Sequence, residues 1–166
     1  MIGLATARLT LTDWDDDAVD NLVAMHNDPE VQRYLDPNRF GWSREKAQSR
    51  LAGWIEERLK LGLGKFPVIR RSDGAFVGRA GFSLYEGEPE IGYSFDRPYW
   101  GQGYATEIAR ALRDWFFASR PEASFIGFAH VENLGSRRVL EKIGMAPTHV
   151  ADVIGMPHQF YRLVRA

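Results

Sequence analysis

Between Glu90 and Phe117 the chain changes period in mid-course, and this passage limits the fold more than any other. Ile91, Tyr93 and Phe95 alternate with Gly92 and Ser94, the period of two that marks a strand. Arg97-Pro98 stops it, because proline fixes φ and offers no N–H. Gly101 and Gly103 follow in a tight loop. Then Ala105, Ile108, Ala109, Leu112 and Phe116 recur at helical spacing. A strand that feeds a glycine loop and a helix N-terminus makes an anion site. The first amides of a helix have no partner within it, the macrodipole adds positive potential there, and glycine lets the main chain approach a phosphate. Residues 100–106 thus read as a diphosphate cradle, or as a plain turn that needs glycine for its dihedrals.

The Gly101-Gln102-Gly103-Tyr104-Ala105 spacing invites comparison with dinucleotide folds. In those the fingerprint opens the first βαβ unit, with an acidic residue about 20 positions on at a strand end. Here Glu122 stands beside Pro121, before the next strand, and the loop comes after several antiparallel-looking strands. The dinucleotide reading is the weaker one.

Residues 90–117, taken with Asn133-Leu134-Gly135-Ser136, resemble the GNAT acetyltransferase superfamily, and within it the RimJ/RimL-type branch that includes acetyltransferases of protein N-terminal amines. The superfamily loop has the pattern (Gln/Arg)-x-x-Gly-x-(Gly/Ala). Gly103 and Ala105 match its last two fixed positions, and Trp100 departs from the first, leaving most of the phosphate work to backbone amides. The resemblance covers nearly the whole chain. It implies a mixed α/β fold: a twisted, mostly antiparallel sheet with one splayed parallel strand pair and helices on both faces.

The rest of the sequence is compatible with that fold. At 166 residues the length suits one domain, 1–166, with a substantial core. A net charge of −1 suggests neither a nucleic-acid nor a membrane surface. The lack of cysteine excludes disulfides and thiolate chemistry. No apolar run approaches the roughly 18 residues of a membrane span, so the expectation is a soluble, cytoplasmic protein. Leu9 and Leu11 sit in a first strand. Asp13 or Asp15 is placed to cap a helix carrying Val19, Leu22, Val23 and His26, and the acidic run around them reads as capping and solvation. Ser43 caps a long helix. Strands follow at 66–71 and 75–84, with Asp73-Gly74 between them as a type I′ hairpin turn. Glu86 to Pro89 connect to the Glu90 strand. After the Gly103–Ser119 helix, residues 124–131 form another strand, and the crossover makes it parallel to 91–96. A helix from Asn133 to about Ile143 ends at Gly144, and strands at 147–154 and 158–164 turn across Gly155-Met156-Pro157.

The resemblance also implies site residues. The pantetheine arm of acetyl-CoA, the implied cofactor, lies between the splayed strands, against the backbone of Phe95, Asp96 and Arg97. Trp100, Gly101, Gln102, Gly103, Tyr104, Ala105 and Thr106 surround its diphosphate. Asn133, locally a good N-cap, contacts the arm. Ser136 protonates or hydrogen-bonds the departing sulfur, and Arg137 or Arg138 reaches a nucleotide phosphate. Glu90 is the implied base and also borders the acceptor; Glu86, Glu88 and Asp96 are other carboxylates nearby. Tyr34, Phe40 and Trp42 are implied acceptor contacts, although aromatics at a helix–loop boundary also fill cores. His26, His130, His149 and His158 lack metal-binding spacing, so no metal is expected; His130 lies near enough to the groove to face it. The implied activity is direct acetyl transfer to a primary amine, with a protein N-terminus as one acceptor. The alternatives are a small-molecule amine (polyamine, amino sugar or antibiotic) and a non-catalytic CoA-binding domain. Either a monomer or a homodimer suits the sequence.

Overall fold

In the computed structural model, which describes residues 3–166, thirteen elements follow in order. They are β1 (Leu9–Leu11), α1 (Ala18–His26), α2 (Pro29–Gln32), α3 (Arg44–Leu61), β2 (Gly64–Arg70), β3 (Phe76–Tyr85), β4 (Glu88–Phe95), a single 3-10 turn (Arg97–Tyr99), α4 (Tyr104–Ser119), β5 (Ser124–His130), α5 (Leu134–Lys142), β6 (Ala146–Val153) and β7 (Met156–Val164). The strands form one sheet in the order β1-β2-β3-β4-β5-β7-β6. Every neighbouring pair is antiparallel except β4 and β5, which run parallel as the crossover through α4 requires.

Two cores hold the layers together. On one face Ile108, Leu112 and Phe116 of α4 and Leu140 of α5 pack on Phe82, Ile91 and Phe125 of the sheet. The helical spacing of the α4 residues turns them all inward, and each is fully buried. On the other face Leu22 of α1 joins Ala47 and Trp54 of α3 and the loop residue Trp42. Ser43 caps α3 by accepting the Lys46 N–H at 3.1 Å, and Gly62 ends it in the left-handed region.

Local chemistry differs from expectation at three turns. The Asp73-Gly74 link is not a type I′ turn: only Gly74 has positive φ, in a longer connection where Asp73 accepts from Arg70 (3.0 Å) and from the Ala75 N–H (3.2 Å). The two-residue turns with positive φ at both positions are Glu86-Gly87 and Ile154-Gly155. Glu88 and Pro89 therefore already belong to β4, and Met156 and Pro157 to β7. At α1 neither Asp13 nor Asp15 is the cap residue. Asp17 holds that position without a side-chain bond, while Asp15 accepts the Asp17 N–H at 3.0 Å.

Candidate active site

The site grows from one strand with unequal edges. Toward β3, β4 is registered over eight residue pairs, from Tyr85↔Glu88 to Gly78↔Phe95. Toward β5 a single pair, Glu90↔Ile126, joins the strands before they part. Ladder groups alternate along an antiparallel strand. The Asp96 N–H bonds Val77 O at 2.9 Å, so the main-chain groups of Tyr93 and Phe95 point the other way, into the gap. Of the three backbone residues expected to face a bound arm, Phe95 is the one whose main chain points into the gap. The Asp96 amide is committed to β3 and the Arg97 amide to Asp96 Oδ1 at 3.0 Å. The indole N–H of Trp100 donates to Phe95 O at 2.7 Å, which fixes the loop against the strand end.

The gap opens onto the N-terminus of α4. Gly103 takes the N-cap position at φ 80°, with no side-chain cap, and Gly101 has φ 73°. The first helical bond of α4 runs from the Glu107 N–H to Gly103 O at 3.1 Å. The amides of Tyr104, Ala105 and Thr106 come before it, free of intrahelical acceptors. Arg8, which no local pattern singles out, secures this end: it donates to Gln102 O at 2.9 Å, pairs with Glu107 at 2.7 Å, and lies over the Tyr104 ring at 4.5 Å. The Gln102 side chain turns back to Pro98 O at 3.3 Å.

Across the gap, Asn133 caps α5 by accepting the Ser136 N–H at 3.2 Å. Ser136 meets a second residue that sequence reasoning missed, Tyr93. The phenol donates to Ser136 O (3.2 Å) and lies 3.1 Å from Ser136 Oγ. A phenol has one proton, so with that proton on Ser136 O the serine hydroxyl is the donor to Tyr93. Burial pushes the Tyr93 phenol well above its ordinary value and keeps it protonated. Alternation along β4 was the available signal for Tyr93; nothing local marked its partner 43 residues away. Arg137 faces β7 instead, donating to Tyr161 Oη at 3.2 Å and to Val131 O at 2.9 Å.

These elements enclose a cavity of about 550 Å³. Phe95, Trp100, Gly101, Gly103, Tyr104, Ala105, Thr106, Asn133 and Ser136 line it, and α2 with the residues after it forms the remaining wall. Tyr34 belongs to that wall and leans on His130 with ring centroids 5.0 Å apart. The other two expected acceptor aromatics lie elsewhere. Phe40 is largely exposed outside the cavity, and Trp42 is core, stacked on the His26 ring at 3.7 Å. Arg97 does not line the cavity; it pairs with Asp28 at 2.7 Å, tying the residue that caps α2 to the exit of β4.

Glu90 sits at the closed end of the gap, on the opposite face of β4 from Tyr93. It is nearly buried and accepts from Lys65 Nζ at 3.3 Å. Burial pushes its carboxyl up, against the pull of the Lys65 ammonium. Burial in turn pulls Lys65 down.

A coenzyme A thioester suits this arrangement. Its diphosphate matches the free amides of α4, and its amide-bearing arm matches the unspent main-chain groups of β4. The family model that matches the chain is the acetyltransferase (GNAT) domain, over residues 8–146. The chain is 29% identical over 144 residues to the uncharacterized N-acetyltransferase YnaD of Bacillus subtilis (strain 168), covering 86% of this chain and 81% of that one. Among solved structures it is similar to a GNAT-family acetyltransferase from Bacillus anthracis, with 26% identity, a TM-score of 0.80 and 97% of each chain covered. It also shares the fold of RimL, a ribosomal L7/L12 alpha-N-protein acetyltransferase solved with coenzyme A, at 19% identity and a TM-score of 0.82 over 96% of this chain and 95% of that one.

Proposed function

Because the chain belongs to the GNAT acetyltransferase family and is an acetyl-CoA-dependent N-acetyltransferase, we propose that its acceptor is an amine of single positive charge, the α-amine of a protein N-terminus. One observation carries this reading: the carboxylates beside the site do not form an acidic wall. Glu30, the carboxylate in the cavity wall, is paired with Arg33 at 3.0 Å, Glu88 with Arg162 at 2.7 Å and Glu90 with Lys65, and Asp96 caps its own turn. A polyamine would need several unpaired carboxylates facing it. An α-amine has a pKa near 8, so it is partly neutral at working pH and one weak base suffices. The RimL neighbour, titled an alpha-N-protein acetyltransferase, supports the same choice.

Bound in the gap, acetyl-CoA supplies an acetyl group already activated as a thioester. The protein's own groups do the rest. The α4 amides hold the diphosphate, and the Tyr93 and Phe95 main chain holds the arm. Ser136, seated by Tyr93 and by the Asn133 cap, turns its one hydroxyl proton from Tyr93 Oη to the departing sulfur on the α5 side. Glu90 accepts the amine's proton from the other face of β4, through water. The test is thiol release from acetyl-CoA with a panel of unblocked peptides, polyamines and amino sugars, the product being located by mass spectrometry. Acetylation of a peptide α-amine in preference to spermidine and to an aminoglycoside is the expected result. A reversed preference overturns the assignment in favour of a small acceptor.

A further inference from the structure

Lys65 lies on β2, 25 residues before Glu90, and its side chain crosses β3 to reach it on β4. Residue 92, a glycine, leaves that path clear: a Cβ there would fall far inside contact distance of Lys65 Nζ and 3.1 Å from its Cε, and would push the end of the lysine aside. Both side chains are nearly buried, at 7% and 13% exposure. A buried ion pair rarely stabilises a fold more than well-packed apolar side chains of the same volume would. Stability alone therefore gives no reason for a pair that is laid over a mid-strand glycine and sits where the parallel strands begin to part.

We propose that Lys65, laid across the bare surface of Gly92, is the positioning residue that holds Glu90 as an anion at the closed end of the gap, ready to take the acceptor's proton. The inference rests on Glu90 being the proton acceptor. As the amine's C–N bond to the acetyl carbon forms and the C–S bond breaks, the nitrogen's proton passes to Glu90, and the sulfur's comes from Ser136, which regains it from solvent. Glu90 then returns its proton to solvent.

The surroundings make Lys65 the necessary member. Arg79 of β3 also faces Glu90, but its Nε–H is directed at His26 Nε2 at 3.2 Å, and its guanidinium lies over Trp54 at 5.0 Å. Glu57 of α3 opposes the anion, and its Oε2 is buried with no hydrogen bond. Arg50 of α3 faces Arg79, His26 of α1 is neutral, and Tyr85 of β3 is within electrostatic reach of Glu90. Without Lys65, desolvation and Glu57 together favour the protonated acid, which cannot accept a proton.

The test reads Glu90 directly. In full-length protein labelled with 13C at glutamate carboxyls, with Glu90→Gln for assignment, NMR gives the Glu90 titration midpoint and needs no acceptor. Lys65→Met is expected to raise that midpoint by about one to three pH units. Gly92→Ala, which keeps both residues and displaces only the end of a flexible side chain, moves it the same way, and Lys65→Arg restores most of the wild-type value. The acidic limb of kcat, measured with acetyl-CoA and an unblocked serine-first pentapeptide, or with spermidine if only that is acetylated, moves with the midpoint. A midpoint unchanged in both Lys65→Met and Gly92→Ala overturns the pairing. A midpoint that moves while the acidic limb stays, or full turnover in Glu90→Gln, overturns Glu90 as proton acceptor and leaves the acceptor assignment to the peptide panel.

Discussion

The two edges of β4 are built from the same residues and do opposite work. On the β3 side eight pairs consume the backbone's hydrogen-bonding capacity, and small residues bring the strands close. On the β5 side one pair does so, and the main chain of Tyr93 and the N–H of Phe95 are left for a guest. Buried main-chain donors and acceptors are nearly always satisfied, so an edge that parts inside a sheet implies a ligand that completes it. The closed edge should thus carry stability without specificity, and the open edge the reverse. The largest expected effect belongs to the closed edge. At Gly78 a Cβ would overlap Ser94 O and lie 2.9 Å from Phe95 Cα, both rigid backbone. Gly78→Val is expected to cost about 3 kcal/mol or more, a fall in Tm of roughly 2–4 °C per kcal/mol. The surviving folded protein should still be stabilised by acetyl-CoA to the wild-type extent. A variant that keeps its Tm but loses that response would reverse the division of labour.

Gly103→Glu tests the open side. A Cβ at Gly103 meets only Arg8 Nη2, at 3.5 Å, so space is not the obstacle. The positive φ costs about 1–2 kcal/mol for a residue with a side chain. The added carboxylate meanwhile faces the amides that would hold a diphosphate. The folded protein should persist with a slightly lower Tm, while the rise in Tm at saturating acetyl-CoA disappears. Differential scanning fluorimetry with and without the thioester reads both quantities at once.

This asymmetry also explains what could be read in advance. The strand, glycine loop and α4 were legible because each depends on residues adjacent in sequence. The parallel pairing followed from handedness, and the Asn133 and Ser43 caps from side chains that bond within three residues. Contacts across the sequence were not legible. Arg8 reaches Gln102, Tyr93 reaches Ser136 and Lys65 reaches Glu90, over 94, 43 and 25 residues, and no periodicity records such meetings. Arg97 illustrates the converse. Its place in the loop suggests a phosphate contact, but Asp28, brought in by the packing of α1 and α2, takes its guanidinium. Trp42 likewise stood at a helix boundary suited to an acceptor, and tertiary stacking on His26 made it core. The Asp73-Gly74 turn departs from type I′ because Asp73 satisfies its own loop through Arg70 and Ala75, which removes the need for positive φ at that residue.

Within the open edge, Ser136→Ala removes a hydroxyl and leaves the α4 cradle untouched. If this hydroxyl serves the sulfur, kcat should fall about 100–10,000-fold, the range of a single proton-transfer contribution, with the acetyl-CoA response of Tm kept. Tyr93→Phe should have the smaller effect of the two, since it removes the partner that orients the serine. Equal losses in kcat and in thioester affinity for Ser136→Ala would make the serine a structural part of the arm's channel. Stopped-flow thiol release set beside equilibrium binding of acetyl-CoA separates these outcomes.

The smallest expected effect is a slope with pH, and it belongs to the closed side. His26 is fully buried, hydrogen-bonded through Nδ1 to Gln32 Oε1 at 2.8 Å, with Nε2 accepting from Arg79. Burial first, then the Arg79 charge, lowers its pKa from 6.5 to about 3. A group whose folded pKa is depressed stabilises the native state above its unfolded pKa. That contribution is lost as pH falls, because the unfolded chain binds a proton that the native state refuses. Between pH 6.5 and 5 the loss amounts to about 2 kcal/mol from this one ring. His158, also lowered by burial, adds in the same direction. His26→Phe keeps a ring against Trp42 but cannot titrate, so its Tm should start lower at pH 7 and fall less steeply toward pH 5. The acetyl-CoA increment in Tm should be the same in both proteins at each pH, because the ring lies in the core beneath α2 and outside the lining of the cavity. A slope unchanged in the variant would shift the acid sensitivity to His158 and the β5–β7 pairing. It would also mean that the open half of the sheet, and not the closed half, sets the protein's lower pH limit.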